Sequence, residues 1–167
     1  MNPGRGVSAA QWLQRATIDR FADALTEHAD VPRARELAAA LLDQRARLTT
    51  TRALAAAVRE ALGEQAPDDL DLAARRVFQA LRIEVNDELG ALDALLRQLP
   101  AVLRPGGRAA VLTFHSGEDR RVKKAFDLGR RAGVYARVSE QIIRPSWAEQ
   151  RSNPRSKSAK LRWARTG

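Results

Sequence analysis

The chain has 167 residues, of which 44% are hydrophobic and none is cysteine. This length allows one domain or two small ones, and the lack of cysteine excludes a disulfide framework and a thiolate metal site. No apolar run approaches the ~20 residues of a membrane span. The N-terminal sequence MNPGRG lacks the apolar core of a signal peptide. The expected location is therefore the cytoplasm, with no membrane partner.

The net charge of +9 is unevenly distributed along the chain. Residues 1–118 contain 15 Lys/Arg and 16 Asp/Glu, whereas residues 119–167 contain 14 Lys/Arg and 4 Asp/Glu, a net charge of +10. Such a basic segment attracts a polyanion through counterion release. The alternative is a solvated or disordered tail. The apolar residues within the segment argue against a purely solvated one: Ile142, Ile143, Trp147, Leu161 and Trp163.

Residues 8–63 have helical periodicity and predict a small helical unit. Ser8 is expected to cap the first helix, with Gln11 completing a capping box. The threonines at 49–51 supply the cap of a later helix, which Gly63 ends. The unit contains no recognisable constellation of catalytic side chains.

Residues 64–167 predict a mixed α/β region. An acidic loop through residue 71 precedes two helices, at about 72–89 and 90–103, and Pro100 should kink or shorten the second. Three strands follow, with a basic helix at 121–131 between the first two; the strands are predicted at residues 109–114, 135–143 and 161–165. The pattern is that of half an α/β sheet behind a helical unit.

The loop at residues 115–120, HSGEDR, follows the C-terminal end of a predicted buried strand, where ligands bind in open α/β sheets. Its side chains could bind a phosphate, orient a base or move a proton. The alternative is a helix N-terminus, at which Ser116 caps while Glu118 and Asp119 complement the helix dipole. His115 is the residue that this alternative explains least.

Arg82 and Asn86 are one helical turn apart and should share a face, as should Glu84 and Glu88 on another face. A polar face in solvent would have the same spacing. The spacing alone therefore leaves both interpretations open.

The strongest feature is the segment at residues 144–162, RPSWAEQRSNPRSKSAKLR. Its Arg and Lys alternate with Ser and Pro in what is expected to be an extended stretch before the last strand. Arg and Lys supply charge, while Ser and backbone N–H groups supply neutral donors to phosphate oxygens. The segment therefore predicts contact with RNA.

Together these segments resemble the MraW/RsmH family of ribosomal RNA cytosine-N4 methyltransferases. Residues 78–89, FQALRIEVNDEL, are similar to the family's FQALRIxVNxEL, and residues 103–120 to its LxPGGRxxVxSFHSxEDR. Residues 144–146 and 153–162 resemble the ending that contains NPRSRSAKLR. Residues 1–9 are similar to MDPxxGxSA, which the family has in mid-protein. The resemblance covers essentially the whole chain.

The resemblance implies a partial class I, Rossmann-like methyltransferase fold that uses S-adenosyl-L-methionine (SAM), interrupted by a helical domain. Residues 1–63 would be the insert-type helical domain. Residues 64–167 would be the C-terminal half of the catalytic domain, with a basic tail. The family's glycine-rich cofactor loop, its acidic residue after the second strand and its DLGxSS strand end would all precede Met1. No cofactor-binding residue and no metal site is therefore assigned to this chain.

The chain departs from the family pattern at several positions. Gly117 replaces the leucine of FHSLEDR, Thr113 replaces a serine, and Asn2 replaces an aspartate. The stretch between Ala132 and Ile143 is short for the family.

The resulting hypothesis is methylation of a cytosine N4 in small-subunit rRNA. The candidates for substrate orientation are Asn86, His115, Ser116 and Asp119, and no general base is assigned. The candidates for RNA contact are Arg82, Arg120, Lys123, Arg144, Asn153, Arg155, Lys157 and Lys160.

Two alternatives remain open. The chain could be a non-catalytic module from a split or truncated gene, which binds RNA or docks a separate N-terminal half. It could also be a decayed reading frame, or one whose start codon lies inside a longer gene. Half of a doubly wound sheet would leave a strand edge and an apolar face uncovered, so the isolated chain is expected to self-associate or to be partly molten.

Overall fold

The computed structural model describes residues 6–63 and 65–167, which divide into two compact units. The first unit ends at Glu88 and the second begins at Leu89. The boundary predicted after residue 63 differs from this one. The reason is that the helix following residue 63 packs on the earlier helices and so belongs to the first unit.

The described part of the first unit consists of five α-helices and a 3-10 turn at Arg45–Arg47. Helix α5 packs on α2 and α4, and α2 packs on α3. The helices are α1 (Ala9–Arg15), α2 (Ile18–Ala29), α3 (Ala34–Asp43), α4 (Thr51–Leu62) and α5 (Pro67–Asn86).

The predicted helix ends of this unit are confirmed. Ser8 and Gln11 form a capping box at α1, in which each side chain accepts the other's backbone N–H. Thr50 caps α4, since its hydroxyl accepts from the Ala53 N–H at 3.1 Å. Gly63 ends that helix with a φ of 68°, a conformation that favours glycine.

Helix α5 begins earlier than the sequence predicts. Residues 67–71 of the expected acidic loop belong to its first turns, with Pro67 at the first helical position followed by Asp68 and Asp69. Proline loses no helical hydrogen bond at that position, and carboxylates there complement the helix dipole. The helix ends at Asn86, because Asp87 turns the chain with a left-handed φ of 48°.

The core of the first unit is a continuous cluster along one side of each helix. Phe21, Leu25 and Leu41 are 0% exposed, and the Trp12 ring packs edge-on against Phe21 with centroids 5.5 Å apart. Burying each such side chain contributes about 1.5–3 kcal/mol. The helical unit therefore has a closed core of its own.

The second unit combines a three-stranded sheet with helices. Helix α6 (Glu88–Val102) runs through Pro100 and leads to β1 (Arg108–Thr113). The elements that follow are α7 (Ser116–Arg131), β2 (Tyr135–Val138), α8 (Trp147–Ser152), a 3-10 turn at Pro154–Ser158, and β3 (Lys160–Thr166).

The strand order is β1-β3-β2, with β3 antiparallel to both neighbours. The three strands lie where the sequence predicts them, and a mixed α/β architecture is confirmed. The second strand is shorter than predicted. It ends at Val138, and Ile143 makes only an isolated bridge to Leu161.

One face of the sheet is covered by α7. Val122 and Phe126 are buried there with Tyr135, whose ring packs edge-on against Phe126 at 5.6 Å. A Cβ at Gly129 would lie 2.5 Å from the Tyr135 ring, so only glycine allows this close approach.

The opposite face of the sheet is open. Leu112 of β1 is 54% exposed, and Phe114 just after it is 51% exposed. Leu112 pairs with Leu161 in the ladder, so both project from the same face. Within the described ranges, no helix combines the length and the apolar character needed to cross a membrane.

Candidate functional site

The C-terminal end of α5 carries a polar cluster built on Glu88. Arg82 donates from Nε and Nη2 to the two Glu88 carboxylate oxygens at 2.9 and 3.1 Å, and the Asn86 amide donates to Oε1 at 3.0 Å. The predicted shared face of Arg82 and Asn86 is confirmed. The prediction that Glu84 and Glu88 share another face of one helix is wrong, because α5 ends at Asn86.

Arg82 and Asn86 also line a cavity of about 720 Å³. Its apolar wall comes from α1, α4 and α5, including Leu13, Leu54 and Phe78. Its polar lining includes Ser8, Gln11, Thr50, Arg82 and Asn86. A cavity of this volume, mostly apolar with a few polar groups, suits a molecule the size of a nucleoside. The sequence singles out residues 1–9 and residues 78–89 as two separate segments. It does not predict that residues of both segments line one cavity.

His115 caps helix α7. Its Nδ1 accepts the Glu118 N–H at 3.4 Å, and the helix begins at Ser116, so the predicted loop at 115–120 is the first helical turn. The prediction that Ser116 supplies the cap is wrong. The capping role of His115 explains this residue, which the interpretation as a helix N-terminus explains least.

The other ring nitrogen of His115 is less well satisfied. Its Nε2 lies 3.2 Å from Glu118 Oε1, but it is a buried atom without a hydrogen-bond partner in the described chain. The nitrogen therefore faces the Glu118 carboxylate and is closed off from solvent.

The pKa of Glu118 reflects several opposing contacts. Burial raises it, but the His115 ring and the backbone N–H groups of Phe114 and His115 lower it more, and the pKa lies below its ordinary value. The Phe114 N–H donates to Oε2 at 2.9 Å. Glu118 therefore ties the end of β1 to the first turn of α7.

Asp119 is held by a residue of the last strand. Arg162 donates from Nε and Nη2 to its two oxygens at 2.7 and 3.1 Å, and the side chains are only 13% and 7% exposed. Two parallel hydrogen bonds of this kind fix both position and orientation. The structure gives Asp119 a role in joining α7 to β3.

Within the segment at residues 144–162, residues 147–152 and 154–158 are helical and not extended, contrary to prediction. Ser146 caps the short helix α8, and Asn153 leads into the 3-10 turn. The Asn153 carbonyl accepts from the Ser156 N–H and hydroxyl at 2.9 and 2.8 Å. Short polar side chains that bond to nearby backbone favour such turns over extended chain.

Three of the predicted RNA-contacting residues line one cleft. Arg144, Asn153 and Arg155 border a cleft of about 500 Å³ whose apolar floor includes Leu112 and Phe114 of the open sheet face. The other predicted contacts do not line this cleft. Arg120, Lys123 and Lys157 are exposed, Lys160 is half-buried, and Arg82 lies in the first unit.

Sequence reasoning missed a buried polar cluster in the first unit. The His28 side chain is 6% exposed, and its Nε2 lies 3.0 Å from Glu84, which also accepts from Arg20 at 3.2 Å. A histidine on the buried side of α2 was the available signal. Its partner lies 56 residues away and could not be found by helical spacing.

The predicted orientation residues fall into two groups. Asn86 lies in the first unit with its cavity, whereas His115, Ser116 and Asp119 lie together at the start of α7 in the second unit. Each group is polar and partly enclosed.

Comparison with known proteins gives a consistent result. The family model described as the MraW methylase family matches residues 1–167. "Ribosomal RNA small subunit methyltransferase H 1" of Agathobacter rectalis is 42% identical over 98% of this chain and 49% of its own length. The protein named "Ribosomal RNA small subunit methyltransferase H" of Rubrobacter xylanophilus is 42% identical over 98% of this chain and 56% of its own. The chain thus spans about half the length of the curated relatives it matches.

Proposed function

Because the chain belongs to the MraW methylase family, we propose that it forms the substrate-binding part of a SAM-dependent methyltransferase acting on a cytosine N4 in small-subunit rRNA. The observation that carries this proposal is the cavity at the end of α5. Two of the segments that resemble the family contribute to its lining, residues 6–9 from the first and Phe78, Leu81, Arg82, Val85 and Asn86 from the second. The enzyme would act in the cytoplasm on rRNA or on the ribosomal subunit.

The cavity supplies what a flipped cytosine needs. A base must leave its stack before a protein can reach its exocyclic amine. The apolar wall around Phe78 accepts the ring. The Asn86 amide nitrogen is engaged by Glu88 at 3.0 Å, so its oxygen can accept a hydrogen bond from the N4 amine. Asn86 would therefore orient the amine.

In the second unit, His115 and Ser116 are the proposed substrate-orienting groups. His115 Nε2 is buried and lies 3.2 Å from Glu118 Oε1, so the ring would orient the substrate through the first turn of α7, which it caps. Asp119 would act as a positioning residue, because Arg162 holds both of its oxygens and thereby fixes the first turn of α7.

The exposed cations would contact RNA phosphates. Arg144 and Arg155 border the cleft on the open sheet face, and Asn153 adds a neutral donor beside them. Arg82, Arg120, Lys123, Lys157 and Lys160 would add contacts elsewhere. Such contacts position the strand but carry no sequence information.

The described residues do not fit the cofactor. Their double glycine lies before β1, and the Gly106 N–H donates to the Gly167 carbonyl at 2.9 Å. A Cβ at Gly107 would lie 2.6 Å from the Arg104 carbonyl oxygen. These glycines close a tight turn instead of cradling a ligand. We therefore assign none of the described residues to SAM binding.

Calorimetry of the 167-residue chain with SAM and with an rRNA oligonucleotide tests this proposal. We expect no heat with SAM, and RNA binding that weakens as salt rises. Replacing Arg155 and Lys157 with alanine should reduce the slope of log affinity against log salt by roughly 0.7 for each lost contact. Alanine at Arg52 and Arg97, two exposed arginines outside the basic segment, removes the same charge and is the matched control. Micromolar SAM binding would contradict the cofactor assignment.

A non-catalytic RNA-binding module is the second candidate, because the described residues do not fit SAM. Mixing the chain with the N-terminal half of the Agathobacter rectalis relative separates the two. Restored methylation that is lost in Asn86→Ala and His115→Ala would support the enzyme. RNA binding without restored methylation would support the module.

A further inference from the structure

Helix α8 exposes a tryptophan that packs into no core. Trp147 is 71% exposed, whereas Trp12 is 7% exposed, and α8 contains no buried residue. An indole on the surface leaves a large apolar area in water, which marks many interaction sites. Trp147 follows the helix cap Ser146, which fixes its backbone position.

One face of this ring is already occupied by a cation. The Arg151 guanidinium carbon lies 4.5 Å from the Trp147 ring centroid. Because the residue is nevertheless 71% exposed, the opposite face of the indole is open to solvent. The guanidinium also restrains the ring, since a cation is attracted to the face of an indole. The result is a restrained aromatic platform with one free face.

The surroundings of the platform are basic. Arg144, Arg155 and Lys157 are exposed, and none of them forms an ion pair with a residue of the described ranges. Between residues 144 and 160 the only acidic residue is Glu149. This combination of an open aromatic face with unpaired cations favours a ligand that has both aromatic rings and negative charge.

We propose that Trp147 stacks on an unpaired base of an RNA strand, while Arg151 and the neighbouring cations contact its phosphates. A base within a duplex offers no free face, so the site requires a single-stranded segment. The proposal rests on the RNA-binding function argued above and adds a residue that the family resemblance does not assign.

The test compares two fluorescein-labelled oligonucleotides of about twelve nucleotides, one of cytidines and one with the same backbone but no bases. The parent chain should bind the cytidine strand more tightly, since base stacking on an aromatic side chain is worth about 1–3 kcal/mol, or roughly 5- to 150-fold. Trp147→Ala should lose this preference while keeping its affinity for the abasic strand. Trp147→Phe should restore part of it.

Val102→Ala is the matched control, because Val102 is 73% exposed and lies outside the basic segment. It should leave both affinities unchanged. If Trp147→Ala keeps the parent's preference, the stacking proposal is wrong and the indole is left for a protein partner. If the parent binds neither strand, the proposed RNA function fails as well, so the two failures are distinguishable.

Discussion

The two units bury their apolar surface in different ways. In the helical unit each helix needs to cover one side only, and Phe21, Leu25 and Leu41 are completely buried. In the second unit the sheet has two faces, and α7 covers one of them, which leaves Leu112 and Phe114 about half exposed. The first unit is closed by its own residues, whereas the sheet lacks a second covering layer within the described chain. The self-association expected from the sequence stays a prediction, with this face as its surface.

Core truncation should give the largest difference between the units. Phe21→Ala is expected to lower the free energy of unfolding by about 3–5 kcal/mol, because it leaves a cavity in a closed core. Leu112→Ala should lower it by only about 1 kcal/mol, because about half of that side chain is in water. Urea unfolding followed by tryptophan fluorescence measures both. Similar losses in the two variants would show that the sheet face is covered in solution.

The two Arg–carboxylate pairs should respond very differently to loss of the acid. Asp119→Ala leaves Arg162 buried and unpaired, which should destabilise the second unit by about 3–5 kcal/mol. Glu88→Ala leaves Arg82 free to reach water, since 55% of its side chain is exposed, and should remove at most about 1 kcal/mol. Thermal unfolding of both variants gives the comparison. A small effect of Asp119→Ala would mean that water reaches Arg162.

Gly129→Ala should destabilise the covered face of the sheet. Alanine normally favours a helix over glycine by about 1 kcal/mol. Here its Cβ would enter the Tyr135 ring at 2.5 Å, and overpacking of this kind costs about 1–3 kcal/mol. Arg130→Ala, an exposed neighbour on the same helix, is the control. Increased stability of Gly129→Ala would show that Tyr135 moves freely.

Acid should weaken the hydrogen bond by which Glu118 of α7 holds the end of β1. The pKa of Glu118 lies below its ordinary value of 4.5, so the folded state favours the ionised form. Its contribution to stability is therefore present above pH 4.5 and is lost as the pH falls through the folded-state pKa. The free energy of unfolding is measured between pH 7 and pH 3 for the parent and for Glu118→Gln. This loss should occur only in the parent. The same pH dependence in both proteins would contradict the prediction.

Features encoded within a few residues could be predicted from the sequence. The Ser8–Gln11 capping box, the Thr50 cap and the strand at Arg108–Thr113 all depend on neighbours in the chain, and the structure contains them. Local signals also misled in places. The Pro and Ser residues of the segment at 144–162 predict extended chain, whereas Ser146 and Asn153 start two short helical turns.

The sequence by itself determined the helical unit, the α/β region, the concentration of positive charge and the family, because these depend on periodicity, composition and motif order. Only the tertiary structure decided what the candidate residues do. Asp119 is paired with Arg162 across 43 residues, and Glu84 with His28 across 56. The physical reason is that a charged side chain takes the partner that folding brings within about 3–4 Å, and spacing along the chain does not specify that partner.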